Sequence, residues 1–143
     1  MKNINLFVYG SLRENFFNYD KYLKGKVEKI FPAKLEDMNL YHMPYKGYPA
    51  ITPGNDKVLG EIMVINEEEY DETVKDMDEM EGFISENNPE NEYHKIVLEV
   101  KNLQTNEKEK CFVYFYNKDK DKVFDSESVY IPNGDWKEYM LTK

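Results

Sequence analysis

Only one stretch of this chain, NEEEYDETVKDMDEMEGF from Asn66 to Phe83, carries a firm helical pattern. Elsewhere the apolar residues come in short runs bounded by Gly, Pro, Asn and Asp, the pattern of strands and turns. These runs are LFVY near the N-terminus, KIFPAKLEDMNLYHMP, KVLGEIMVI, EYHKIVLEVKNL and EKCFVYFYN. YKGYPAITPGNDK, rich in Gly and Pro, reads as the loop between the second and third runs, and QTNEKE as the turn between the last two. A short helix is expected within ENFFNYDKYLKGKVEKIF, with Phe16, Tyr19 and Leu23 near one face and Gly25 ending it. The tail, DSESVYIPNGDWKEYMLTK, reads as mostly loop with a short terminal helix. Strands therefore dominate without strict βαβ alternation. That order predicts an α+β fold, a mixed and mostly antiparallel sheet or small barrel flanked by a few helices. With 143 residues and neither repeat nor low-complexity linker, a single domain over residues 1–143 is expected.

Charge and composition narrow the partners. A formal net charge of −9 argues against nucleic acid and against an anionic membrane surface. No apolar run approaches the roughly 20 residues of a transmembrane helix, and Met1–Lys2–Asn3 leads straight into a strand, so neither membrane span nor signal peptide is predicted. The lone cysteine, Cys111, rules out an internal disulfide and fits a reducing cytoplasm. Aromatic residues make up 15 % of the chain, with twelve tyrosines. Tyrosine suits both strands and a lined pocket, because its ring is apolar while its hydroxyl finds a partner.

Several chemistries have little support. His42 and His94 are far apart and belong to no metal-binding spacing, so no metal and no cofactor are expected. Cys111 sits in the middle of a strand, where a free cysteine behaves as a small hydrophobe. Ser11 lacks the Gly-x-Ser-x-Gly frame of a nucleophile elbow. Tyr48–Pro49, Tyr114 and Tyr116 invite a pocket role, but core packing is the favoured reading for each.

Two features do point to a site. The first strand stops at Gly10–Ser11, a junction that serves either as a plain turn or as a concavity of backbone N–H groups for an anion. The second is Glu81. At about 100° per residue it falls on the apolar stripe of Tyr70, Val74 and Met77, while Asp78 flanks that stripe and Glu72, Lys75, Asp76 and Glu79 point away. It also lies in the last helical turn, before the expected C′ residue Gly82, where the macrodipole disfavours a carboxylate. Burial and dipole together would raise its pKa toward that of a neutral-pH acid/base. The alternative is a helix end that frays and turns Glu81 to water.

The segments FVYGSLR, GYPAI, VLGEIMVI, MDEMEGF, EYHKIVLEV, CFVYFY and NGDW together resemble the gamma-glutamylcyclotransferase-like family. The nearest part is its gamma-glutamylamine cyclotransferase and avirulence-induced-protein-like branch. The resemblance implies a small β-barrel flanked by helices, with the Tyr9–Gly10–Ser11–Leu12 loop at its mouth holding the glutamyl part of a substrate. It also implies that Glu81 is the acid/base. The implied activity converts a small gamma-glutamyl amine or peptide to 5-oxoproline plus free amine, a transferase or lyase chemistry whose nucleophile is the substrate's own α-amine. A non-catalytic module binding a small carboxylate or amino acid in the same pocket is the alternative. Lys95 stands where relatives often carry arginine, and ISENNPEN after Phe83 is longer than in close relatives.

Overall fold

The computed structural model describes residues 4–10, 12, 13 and 19–141. Six strands form one sheet: β1 (Asn5–Val8), β2 (Val27–Met43), β3 (Tyr48–Ile65), β4 (Tyr93–Asn102), β5 (Lys108–Tyr116) and β6 (Val129–Ile131). Their order is β3-β1-β5-β4-β2-β6, and β3 also pairs with β2, so β1 to β5 close into a barrel with β6 on the flank. Among the described strands only the β1–β5 pair is parallel. The helices are α1 (Tyr70–Met80), α2 (Phe124–Glu127) and α3 (Trp136–Leu141). This is the mixed, mostly antiparallel α+β barrel that the sequence and the resemblance predict.

After Asn5 the short β1 is apolar, because it is paired on both edges and covered on both faces. Leu6 pairs with Met63 of β3 on one side and Phe112 of β5 on the other. Its side chains alternate between two cores. Phe7 packs with Ile62, Val100, Cys111 and Val113 in a cluster that ends at the buried Trp136 of α3. Leu6 and Val8 join Met63, Tyr114 and Tyr116 in the cluster that carries Tyr70, Val74 and Met77 of α1. His42 lies wholly within the structural core, accepting at Nδ1 from the Trp136 indole N–H at 3.1 Å.

The segment expected to be a loop, residues 45–57, is instead mostly strand. β2 and β3 form one long hairpin, paired from Val27↔Ile65 to Met43↔Tyr48 with register shifts between Val27 and Lys29 and between Glu36 and Met38, and its turn occupies only residues 44–47. Prolines are tolerated there because this half of β3 is an edge: Pro49 and Pro53 pair with His42 and Met38 of β2, while β1 reaches only Glu61–Met63. Asn39 secures the bend at Gly54 by accepting the Asn55 and Asp56 backbone N–H groups at 3.2 Å each.

Other elements differ in detail. The expected N-terminal helix is a single π-helical turn, Tyr19–Leu23, followed by Gly25 at φ 84°, while Phe16 lies outside the described residues. Asn66 opens the helical segment through its carbonyl, which accepts the Glu69 N–H at 3.0 Å; its side chain makes no capping bond. A 3-10 turn, Glu67–Glu69, precedes α1 proper. The tail holds the terminal helix α3 and, unforeseen, β6 and α2. No helix among the described residues is long and apolar enough to cross a membrane.

Two distant segments are joined at the start of α3. The Arg13 guanidinium reaches Asp135 at 3.1 Å and Glu61 at 3.5 Å. Asp135 in turn accepts the Glu138 backbone N–H at 3.1 Å, an N-capping contact for α3.

Candidate active site

At one end of the barrel a cavity of about 330 Å³ opens where the end of β1, the β2–β3 turn, the end of α1 and the start of β4 converge. Tyr9, Gly10 and Leu12 line it from the first loop, Tyr48 and Pro49 from β3, and Glu81 and Glu92 from the opposite side. Of the residues expected in a site, Tyr9, Gly10, Leu12 and Glu81 therefore meet at one cavity. Ser11 lies outside the described residues.

Glu81 is presented by a well-formed helix end rather than a frayed one. It remains in the right-handed helical region (φ −80°, ψ −4°), and its N–H donates to the Met77 carbonyl at 2.8 Å. Gly82 follows at φ 68°; its N–H donates to the Glu79 carbonyl and the Phe83 N–H to the Asp78 carbonyl, so the Met77, Asp78 and Glu79 carbonyls of the last turn are satisfied. A side chain at Gly82 would also strike Glu92, with Cβ atoms 2.8 Å apart. Two backbone bonds tie this helix end to β4: the Glu92 N–H donates to Gly82 O at 2.9 Å and the Tyr93 N–H to Glu81 O at 3.2 Å. Burial, then the charges of Glu92 and Asp78, push the Glu81 carboxyl up from its ordinary 4.5 to about 8.

Around Glu81 the tyrosine hydroxyls are committed to fixed acceptors. Tyr9 donates to the Tyr114 carbonyl at 2.5 Å, Tyr93 to the Pro49 carbonyl at 2.5 Å, and Tyr48 to the Glu92 carboxylate at 2.6 Å. Tyr114 donates to Asp78. Burial is the leading reason that all four phenols are held above their usual range. The wall is thus apolar in its rings, with each polar tip satisfied.

The glycine at position 10 has a packing cause. Its φ is not in the left-handed region, and a Cβ there would sit 2.6 Å from Pro49 Cγ and 2.9 Å from Cδ. The close approach is therefore first to the Pro49 ring. The Arg13 N–H closes the turn on the Gly10 carbonyl at 3.0 Å.

Glu92 and Lys46 escaped the sequence reading. Lys46 donates to Glu92 at 3.0 Å beside the Tyr48 bond. The available signal was Glu92 alone, the acid directly before the apolar β4; Lys46 is an ordinary turn residue in the sequence. Asp78 also carries more than its flanking position suggests, since it accepts from Tyr114 and pairs with Lys95 at 2.9 Å. Lys95 itself lies over the Phe83 and Phe112 rings, 5.0 and 4.8 Å from their centroids.

Asp78→Ala should therefore lower stability by about 1–3 kcal/mol, the scale for stranding buried hydrogen-bond partners. Glu79→Ala, on the exposed face, should stay within about 0.5 kcal/mol. Urea melts of the two variants give the comparison. In turnover, both should cost far less than a change at Glu81.

The fold and site together define a class: a small mixed barrel whose mouth holds a tyrosine-lined cavity with a carboxyl of raised pKa at a helix end. A sequence profile described as gamma-glutamyl cyclotransferase, AIG2-like, matches residues 6–138. The chain belongs to that family. Among solved structures it is similar to PH0828 of Pyrococcus horikoshii, at 23 % identity and TM-score 0.62 over 98 % of this chain and 95 % of that one. It is also similar to ytfP of Escherichia coli, at 20 % identity and TM-score 0.62 over 96 % and 99 % of the two chains. An AIG2-like protein of Mus musculus matches at 21 % identity and TM-score 0.56 over 78 % and 76 %. These likenesses show the shared fold. Among curated proteins, none matches the chain.

Proposed function

We propose that this chain is an enzyme that converts a small gamma-glutamyl amine or peptide to 5-oxoproline and a free amine. The substrate's α-amine attacks its own γ-carbonyl carbon, the ring C–N bond forms, and the bond to the leaving amine breaks. The nucleophile arrives with the substrate, so the protein's task is to position it and move protons. Glu81 takes a proton from the α-ammonium and returns one to the departing nitrogen. Tyr9, Gly10, Ser11 and Leu12 hold the glutamyl part, with backbone N–H groups of that loop facing either its α-carboxylate or the developing oxyanion.

The observation that supports this reading is the place of Glu81, on the cavity wall with its pKa raised to about 8. A site built only to bind an anion gains nothing from a carboxylate there. The proposal carries with it a small-molecule partner, with neither nucleic acid nor membrane, and a cytoplasmic setting.

Incubation with a panel of gamma-glutamyl amines and dipeptides, assayed for 5-oxoproline, tests it. Product from at least one member is expected; saturable binding of such compounds without product would favour the binding module. Turnover should also survive EDTA and thiol alkylation. Cys111 is fully buried, with its thiol pushed up to about 12 by burial, and is unsuited to reaction. Loss of turnover on chelation, restored by one divalent metal, would overturn the proton-shuttle mechanism.

A further inference from the structure

The first loop is held partly from within. Tyr9 donates to the Tyr114 carbonyl, Leu12 is buried in the cluster that carries α1, and the Arg13 N–H closes back on the Gly10 carbonyl. The Arg13 side chain then ties the loop to two other parts of the chain. Its Nη1 donates to Asp135 Oδ1 at 3.1 Å, and its Nε lies 3.5 Å from Glu61 Oε2 without a hydrogen bond. One planar guanidinium, with donors fixed in a fork, thus meets a carboxylate from β3 and another from the turn before α3. None of these three side chains lines the barrel-mouth cavity, whereas Tyr9, Gly10 and Leu12 do.

Stability alone accounts poorly for this arrangement. The Arg13 and Glu61 side chains are each only 12 % exposed. At that depth desolvation offsets most of the attraction, and apolar residues of the same volume would hold the segments as well. Capping of α3 does not require Arg13 either, since Asp135 Oδ1 reaches the Glu138 N–H by itself. What the ion pairs add is direction. They fix where the chain leaves the loop, against a strand paired on both sides and against a helix start.

We infer that Arg13 is a positioning residue, setting the first loop for the glutamyl part of the substrate by anchoring it to Asp135 and Glu61. The inference rests on the cyclotransferase reading above and adds the C-terminal turn, remote from the cavity wall, to what that reading requires. Backbone N–H groups bind an anion well only when they are held in place beforehand. Asp135 carries the hydrogen-bonded half of the anchor and Glu61 the purely coulombic half.

Steady-state kinetics and thermal melts on R13Q, D135S and the double variant test it, with any panel compound that gives product. Serine at position 135 still caps a helix but carries no charge and is too short to reach Arg13. KM should rise by on the order of tenfold in each single variant, the scale of coupling within one ion-pair network. Turnover at saturation should stay within about twofold, because the loop holds substrate and transition state alike. The double variant should match R13Q instead of multiplying the two losses. Hydrogen exchange in D135S should quicken at Gly10, Leu12 and Arg13 while the barrel strands keep their protection. Lower melting temperatures with KM unchanged would make the ion pair merely structural and overturn the inference, with the cyclotransferase reading left standing. Multiplied losses in the double variant would do the same. Should R13Q not fold, D135S alone decides between these outcomes. Product from no panel compound with the unaltered protein removes the reading and the positioning role together.

Discussion

Glu81→Gln should lower turnover by on the order of 10²-fold or more while leaving a folded protein that still binds substrate. Glutamine keeps the shape and hydrogen-bonding reach of the side chain but cannot carry the proton, and general acid/base assistance is worth about 10²–10⁴-fold. Substrate binding should persist, since the loop through Gly10 and Leu12 is unchanged. Steady-state kinetics on wild type and variant give the result, and near-normal turnover in the variant would remove Glu81 from the mechanism. A pH signature accompanies it. The acceptor of the α-ammonium proton is the ionised carboxylate, so wild-type kcat/KM should rise along an acid limb centred near pH 8.

Stability should move the other way, and the sign follows from linkage. A carboxyl raised from 4.5 to about 8 on folding keeps its proton in the native state through a pH range where the unfolded chain has released it. The native state then binds more protons, so stability falls as pH rises from about 4.5 to about 8 and levels off above that. Glu81→Gln removes that loss. The variant should melt close to wild type at pH 4 and above it at pH 9. Equal melting at both pH values would mean that the Glu81 carboxyl is not desolvated.

Gly10→Val should produce the second large effect, with KM raised by about tenfold or more and a stability loss of about 1–3 kcal/mol, the usual range for overpacking. The added atoms meet the ring of Pro49, and that ring has little room to retreat. Its backbone is paired with His42 of β2, and its carbonyl holds the Tyr93 hydroxyl. The first loop must yield instead, carrying Tyr9 and Leu12 with it. Kinetics with a folded-state check by circular dichroism would show the change; normal KM would reduce the loop to a plain turn.

The strand inventory was legible because β1, β4 and β5 are apolar runs bounded by turn residues. Glu81 was legible for a related reason, since helical periodicity is fixed by backbone geometry and carries straight to the helix end. The second half of the long hairpin was not. Gly54, Pro49 and Pro53 are turn residues by local preference, and only pairing with β2 makes that stretch a strand. Glu92 and Lys46 lay beyond reach because their meeting depends on the β2–β3 turn coming up against the start of β4. The cause of Gly10 was likewise tertiary, for nothing within FVYGSLR shows that Pro49 will press on it.

The two backbone bonds between the end of α1 and the start of β4 bear on how this protein could change over time. They close residues 83–91 into a loop whose ends meet whatever lies between them. Within the loop, Asn91 gathers the chain, accepting the Ile84 N–H at 2.6 Å and donating to the Ser85 carbonyl at 2.8 Å. Lengthening a loop whose ends are already held costs only about 0.6 kcal/mol for each doubling of its length. The stretch ISENNPEN could therefore gain residues at little thermodynamic penalty, without loosening the helix end that carries Glu81. Diversity at this rim can accumulate by insertion as readily as by substitution.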